Sequence, residues 1–421
     1  MLVEFTVGNY LSFYEKKTLS FEAKGISELK ENVSSYNKIK LLKSAVIYGA
    51  NSSGKSNLLK ALDSMRDNVI NSVKLNDYDE LEYTPFLLNE FSELEPTHFE
   101  IIFIIDDKRY RYGFEYNLNQ IENEWLFIGK NSKTEKPYFI RTIEGIGVSD
   151  NFKEGINKES STNDNRLFIS LVAQLGGEIS KSIIEWFRSY NVLSGITHKD
   201  YNGFTTRMLH KKLEGCEKSL RFFQTLKLGF KEIITNENEI DLNELPEIIS
   251  KNVKAKLIKE LSGKKQVVLK TVHNKFDKKG NIVDTVLFDK DKNESQGTNK
   301  IIDLSGPIFD TLSLGKLLII DELDAKLHPL ITIHIVNLFN DPKININNAQ
   351  LLFATHDTNL LSSELFRRDQ IWFTEKDMFE QTDLYSLYEI NLPDGSKVRN
   401  DSNLEKNYIR GRYGAIPFIT N

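Results

Sequence analysis

The chain has 421 residues, 40% hydrophobic and 27% charged, with a net charge of −5. That length allows two or three domains or one core with a large insertion, and the acidic balance excludes a global basic field for nucleic acid, though not a local patch. Cys216 is the one cysteine, which excludes an intramolecular disulfide and a multi-cysteine zinc site and fits a reducing cytosol.

In chain order, Val3, Phe5 and Val7 alternate with Leu2, Glu4 and Thr6, and this predicts a strand. Met1–Phe5 has neither a basic nor an apolar leader region, so a cytoplasmic protein is expected. Leu19–Phe21 reads as a second strand and residues 42 to 48 as a third. Asn57–Val69 carries Leu58, Leu59, Leu62, Met65 and Val69 at helical spacing. Residues 71 to 95 are polar and weakly periodic. Phe99–Ile105, Arg109–Tyr116 and Glu124–Ile128 follow as three β-like runs, separated by turn residues, and predict an antiparallel meander. Residues 145 to 165 are rich in Gly, Ser, Asn and Asp, and a mobile loop is expected there.

From about residue 166 the period becomes helical, through Leu167, Leu171 and Leu175, then Ile183, Ile184 and Phe187, then Leu209, Leu213, Leu220 and Phe223. A further helix is predicted near Leu245–Leu261, and a β pair at Gln266–Val272 and Ile282–Phe288. The last third alternates: strand Leu317–Asp321, helix His328–Asn340, strand Gln350–Thr355, helix Asp357–Phe366 and strand Gln370–Phe373. Such alternation argues an α/β fold with a parallel sheet covered on both faces. The expected organisation is a discontinuous core, 1–70 with 290–421, interrupted by a β-rich insertion at 71–165 and a mainly helical lobe at 166–289. No apolar run reaches the ~18 residues of a membrane span, so no membrane partner is expected.

Two motifs carry chemistry. Gly49-Ala50-Asn51-Ser52-Ser53-Gly54-Lys55-Ser56 fits G-x-x-x-x-G-K-[ST], with a buried strand before it and a helix after it. The glycines let backbone amides turn inward around phosphates, and the helix start, Asn57 included, adds its positive dipole end. Lys55 would reach the β- and γ-phosphates of ATP, and Ser56 would hold Mg²⁺. Leu317–Ile320 is an aliphatic strand ending in Asp321-Glu322. Ligands bind at that edge of a parallel sheet. Asp321 would bind Mg²⁺, and Glu322 would act on the attacking water as general base.

Together with Asp324 and Ala354-Thr355-His356-Asp357, these segments resemble the ATP-binding-cassette (ABC) ATPases, in the soluble branch of SMC, RecF and OLD-like proteins. Leu327-His328-Pro329 is similar to part of an OLD-like segment, and Asn9-Tyr10-Leu11-Ser12-Phe13 resembles the opening of RecF-like chains. The resemblance implies a mixed-sheet ABC core with the β meander and helical lobe inserted. It implies that Asp324 forms the D-loop and that His356 contacts the γ-phosphate. Glu294–Lys300 stands where the signature segment belongs, and Ser295, Gly297 and Thr298 are its candidate residues. The alternative reading of that stretch is a Ser/Gly turn capping a helix. The resemblance further implies a head-to-tail homodimer, and a sensor role in phage defence that controls a separately encoded effector, a nuclease or toxin. Two rivals are a DNA-repair ATPase acting directly on DNA and an ATP-locked scaffold with little turnover.

Several features stay open on sequence. Gln174 and Gln120 compete as a glutamine sensing Mg²⁺, and each reads better as a plain helical glutamine. Lys251, Lys254, Lys256, Lys259, Lys264 and Lys265 form a basic stretch better suited to a solvated face than to nucleic acid. Arg367–Asp377 and Tyr408–Pro417 match a pattern recurring in the phage-defence group, without an assigned role. His198-Lys199-Asp200 lacks phosphodiesterase spacing, and the histidines do not pair at metal spacing. The stretch between Gly49 and Asp321 is too short for coiled-coil arms, and little chain follows His356 to hold an appended nuclease.

Overall fold

The computed structural model describes residues 1–36, 39–197, 199–239, 253, 265–392, 395–399 and 401–417. The helix expected near Leu245–Leu261, the lysines from Lys251 to Lys264, and His198 lie outside the described residues. In chain order the strands of the first half are β1 (Leu2–Gly8), β2 (Lys17–Ser20), β3 (Val33–Tyr36), β4 (Ile39–Leu42), β5 (Ser44–Gly49), β6 (Thr97–Ile105), β7 (Lys108–Tyr116), β8 (Ile121–Gly129), β9 (Lys136–Thr142), β10 (Gly145–Val148) and β11 (Asn191–Ser194). Helices α1 (Lys55–Asn71), α2 (Phe168–Gln174) and α3 (Glu178–Ser189) accompany them. Then come α4 (Lys199–Lys211), α5 (Cys216–Leu226), β12 (Glu232–Glu239), β13 (Lys265–Phe276), β14 (Ile282–Asp289), α6 (Lys290–Asn293) and α7 (Gln296–Leu314). The chain ends with β15 (Leu317–Asp321), α8 (Pro329–Asn340), β16 (Gln350–Ala354), β17 (Ile371–Lys376), β18 (Thr382–Ser386) and α9 (Leu404–Ile409).

Compactness divides the chain into two units, Met1–Ile196 with Leu314–Asn421, and Thr197–Ser313. These cut the chain at other places than 70, 165 and 290. The reason lies in the pairing: β6 bonds directly to β1, so the meander and the N-terminal strands share one sheet.

Beside the β3-β4 pair, the larger unit holds two large sheets. One is mixed, in the order β11-β15-β16-β5-β17-β18, parallel except at β18. Its central strands are buried on both faces, as their near-continuous aliphatic runs require. The other is antiparallel, in the order β10-β9-β8-β7-β6-β1-β2. Helix α1 lies in the core between them. Leu58, Leu59, Leu62, Met65 and Val69 are buried in one cluster with Phe5, Phe99, Ile101 and Tyr112 from the antiparallel sheet and Ile47, Ile319 and Leu352 from the mixed one. Burying side chains of this size removes roughly 1.5–3 kcal/mol each of apolar exposure. The α/β fold with a mixed sheet and a meander is therefore as expected.

Four local expectations are corrected. Residues 145 to 165 do not form one loop: Gly145–Val148 pairs with β9, Phe152 is buried, and Asn165 donates to the Asn76 and Asp79 carbonyls at 2.7 and 2.9 Å. The helix expected at Asp357–Phe366 is only a short 3-10 turn, Thr358–Leu360. There the Asp357 and Ser362 side chains accept the amides of Asn359 and Glu364, offering the backbone an alternative to helix. The β pair near 270 gains a third strand, β12. Leu175, Leu213 and Leu220, expected on buried helix faces, are exposed.

Arg367-Arg368-Asp369-Gln370 has a structural task. Arg367 is buried, makes a double contact with Asp369 at 2.9 and 2.7 Å, and donates to the carbonyls of Lys24 and Glu28. Gln370 donates to Ser44 at the head of β5. The pattern ties residues 24 to 28 to the sheet that carries the phosphate loop.

Candidate functional site

The loop between β5 and α1 takes the shape its sequence demands. Ser52 has φ 64° and Gly54 φ 111°, the left-handed region where glycine has no penalty. A Cβ on Gly49 would overlap Ser53 and Thr374, and one on Gly54 would overlap Thr382. The loop is braced from behind by hydroxyls. Ser53 and Thr374 share a hydrogen bond at 2.6 Å, and Thr382 Oγ1 donates to the Ser53 carbonyl at 2.9 Å. Thr382 and Ser12 share another at 2.8 Å, and Asn57 Nδ2 donates to Ser12 Oγ at 2.8 Å. Ser12, of the Asn9–Phe13 segment, thus buttresses the loop from a distant part of the chain. Thr382 carries no signal in the sequence, because an isolated threonine in a strand is ordinary, and Thr374 stands out only as part of the unassigned Arg367–Asp377 pattern.

Lys55 opens α1 and is 5% exposed. Its Nζ donates to the carbonyls of Gly49 and Ala50, at 2.8 and 3.0 Å. Burial pushes its pKa down from 10.5 to about 8, against the opposing pull of Asp321, Glu322 and Asp324. The same three carboxylates act on His356, whose pKa is lowered first by burial and then by Lys55. Lys55, Asp321, Glu322, Asp324 and His356 therefore lie within electrostatic reach of one another, across the strand ends of β5, β15 and β16.

Parallel pairing produces that convergence. β15 lies beside β16 and β16 beside β5, so their C-terminal ends open on the same edge. Past Asp321 the backbone turns sharply. Glu322 sits at φ 52°, a conformation costing a non-glycine residue roughly 1–2 kcal/mol. Gly195, whose amide donates to Asp321 O at 2.6 Å, lies so close that a Cβ there would overlap the Glu322 backbone. Leu323 N bonds to Ala354 O and Ala325 N to Glu322 O, which close the turn.

Asp321 Oδ1 and Asp324 Oδ1 are buried and have no hydrogen-bond partner among the described residues. Buried carboxylate oxygens are costly unless a partner arrives. Ser56, half-buried on the first turn of α1, supplies a hydroxyl as well. This donor set of hard oxygens fits Mg²⁺, which keeps waters and phosphate oxygens in its shell. No group of three His, Cys, Asp or Glu side chains able to hold a metal occurs among the described residues, so Ser56 and Asp321 would be the chain's contribution. Gly49, Asn51, Ser53 and His356 line one cavity of about 690 Å³.

The other candidates take varied places. Ser295 belongs to the smaller unit, where its hydroxyl accepts the Thr298 amide at 3.1 Å and caps α7. Gly297 lies, partly buried, on the first turn of that helix. Gln174 is exposed at the end of α2, and Gln120 sits in the β7–β8 turn, its amide bonded to Asn117. His328 caps α8 by accepting the Leu330 amide. Lys265 starts β13.

Fold and site define a P-loop NTPase-type domain: a glycine loop between strand and helix, faced by an acidic strand end. The profile of the family described as "AAA domain, putative AbiEii toxin, Type IV TA system" matches residues 44–362. The chain belongs to that family of AAA domains. No curated protein matches it. Among solved structures, the chain is similar to the SMC head domain from Thermotoga maritima, at 12% identity over 91% of this chain and 98% of that one, with a TM-score of 0.42. It is also similar to the recombination mediator protein RecF with ATP, at 14% identity over 84% and 93%, with a TM-score of 0.34. No helix among the described residues is long and apolar enough to cross a membrane.

Proposed function

We propose that this chain binds and hydrolyses Mg·ATP. The observation that supports it best is the convergence of Lys55, three carboxylates and His356 at one sheet edge. On binding, Lys55 exchanges its own loop's carbonyls for the β- and γ-phosphate oxygens. Amides from Asn51 to Asn57 cradle the phosphates. Ser56 and Asp321 would hold Mg²⁺, which would supply charge neutralisation to the phosphates. Glu322, fixed by its strained turn, orients the attacking water and takes its proton. His356, kept neutral by burial, donates a hydrogen bond to the γ-phosphate.

The reading extends to a head-to-tail dimer of a cytoplasmic protein. Ser295, Gly297 and Thr298 of one copy, with Asp324 at the junction, complete the site of the other. Segments 1–70 and 290–421 would then be the nucleotide core, with 71–165 and 166–289 as insertions that transmit its state. Its place in biology would be that of a sensor subunit in phage defence, acting on a separately encoded effector. The family resemblance supports that part, not the chemistry of the site.

The chemical test is phosphate release by wild type and by Glu322→Gln, with molecular mass followed by light scattering. Wild type should turn over, and the variant should bind ATP, release no phosphate and accumulate as a dimer. An active Glu322→Gln protein would overturn the assignment of the base. For the biological role, cells carrying this gene with its neighbour are plated with phage. Protection should vanish with Lys55→Ala, and equal plating would reject the role.

A further inference from the structure

One wall of the cavity beside the phosphate loop comes from a part of the chain that no nucleotide motif includes. Its volume of about 690 Å³ falls within the ~300–1,000 Å³ of small-molecule sites. Gly49, Asn51 and His356 make one part of its lining, and Tyr408, Ile409 and Ile416 a second.

That second part is a built structure. The Tyr408 ring packs against Tyr48 at 5.8 Å and stacks on Phe373 at 5.5 Å. Its hydroxyl donates to Ala415 O at 2.9 Å and closes the segment on itself. The Tyr385 hydroxyl lies 2.9 Å from both Tyr413 O and the Glu375 carboxylate. Gly414, at φ 70°, leaves room for that contact, since a Cβ there would overlap both side chains. Thr358 Oγ1 donates to Glu405 at 3.0 Å and fixes the head of α9 next to His356. Tyr48 directly precedes Gly49, so the wall is rooted on the strand that feeds the phosphate loop. Yet Ile409 is left 60% exposed.

An anion cradle and aliphatic side chains thus line one cavity. A ligand that suits both has a polyanionic end and a flat end with apolar faces, the chemistry of a nucleoside triphosphate. We propose that Tyr408–Pro417 is the nucleoside wall of this site, with Ile409 and Ile416 covering one face of the base. This rests on the nucleotide reading above and deepens it.

The test separates the two ends of the ligand. Calorimetry with Mg²⁺ measures ATP and inorganic tripolyphosphate on the full chain, for wild type, Ile409→Asp and Ile416→Asp, with thermal melts to establish folding. Ile409 is exposed, so its variant is expected to fold. ATP should weaken about tenfold or more in both variants, while tripolyphosphate, which has no base, should bind as to wild type. Irradiation with 8-azido-ATP should label peptides from 408 to 417. Unchanged ATP affinity in folded variants would overturn the proposal while leaving the ATPase reading intact. Wild type that binds neither ATP nor tripolyphosphate would overturn both.

Discussion

Lys55 makes a quantitative prediction. In the free protein its buried amine has a pKa of about 8. A triphosphate bound beside it restores the charged form, so binding draws a proton from solvent. The uptake equals the fraction of neutral amine in the free state, about 0.1 proton at pH 7, about half at pH 8 and about 0.9 at pH 9. His356, lowered by burial, is uncharged over this range and adds nothing to the slope. The perturbation is therefore pH alone. The assay is titration calorimetry of Mg·ATP in buffers of different ionisation heat, which reads proton uptake directly. The sign for folding follows too. Because the folded pKa lies below 10.5, unfolding takes up a proton between pH 8 and 10.5, and this residue's contribution to stability rises with pH through that window. Proton uptake that stays flat from pH 7 to 9 would refute the picture of a lysine buried on its own loop and released by phosphate.

Three substitutions test the framework. Gly54→Ala puts a side chain at φ 111° into Thr382, whose hydroxyl is held by Ser12 and Ser53; it should cost roughly 2 kcal/mol or more in chemical denaturation and weaken ATP binding. Gly195→Ala pushes on the Glu322 backbone; turnover should fall about a hundredfold, as displacement of a catalytic group by about 1 Å does, with ATP affinity little changed. Glu124 is fully buried and accepts the amides of Phe168 and Ile169, at 2.6 and 3.0 Å, beside Arg141. Glu124→Ala leaves those donors and that cation uncompensated and should lose about 3–5 kcal/mol in urea denaturation.

What could be read from sequence followed burial. Ala45–Tyr48, Leu317–Ile320 and Leu351–Phe353 are buried on both faces, so their apolar runs announce strands without help from context. The meander was legible because its β-like runs are punctuated by turn residues, Asp106-Asp107-Lys108 and Asn117-Leu118-Asn119. Strand β12 was not, since Glu232–Glu239 is half charged and amide and only intermediate or exposed. The 3-10 turn at Thr358 was hidden because Leu361 and Leu365 repeat at helical spacing while side-chain hydrogen bonds decide the backbone. At the site, the loop and acidic strand end were visible as motifs. Ser12 and Thr374 were visible only as parts of a resemblance, and Thr382 and Gly195 not at all, because their roles exist only through contacts made over long sequence separations.

The most direct measurement is a structure of the chain with Mg²⁺ and a non-hydrolysable ATP analogue. The triphosphate should lie in the turn from Gly49 to Ser56, with Lys55 Nζ on its β- and γ-oxygens and the metal on Ser56 and Asp321. Nucleotide bound away from that turn, or a turn left empty at saturating analogue, would contradict the account.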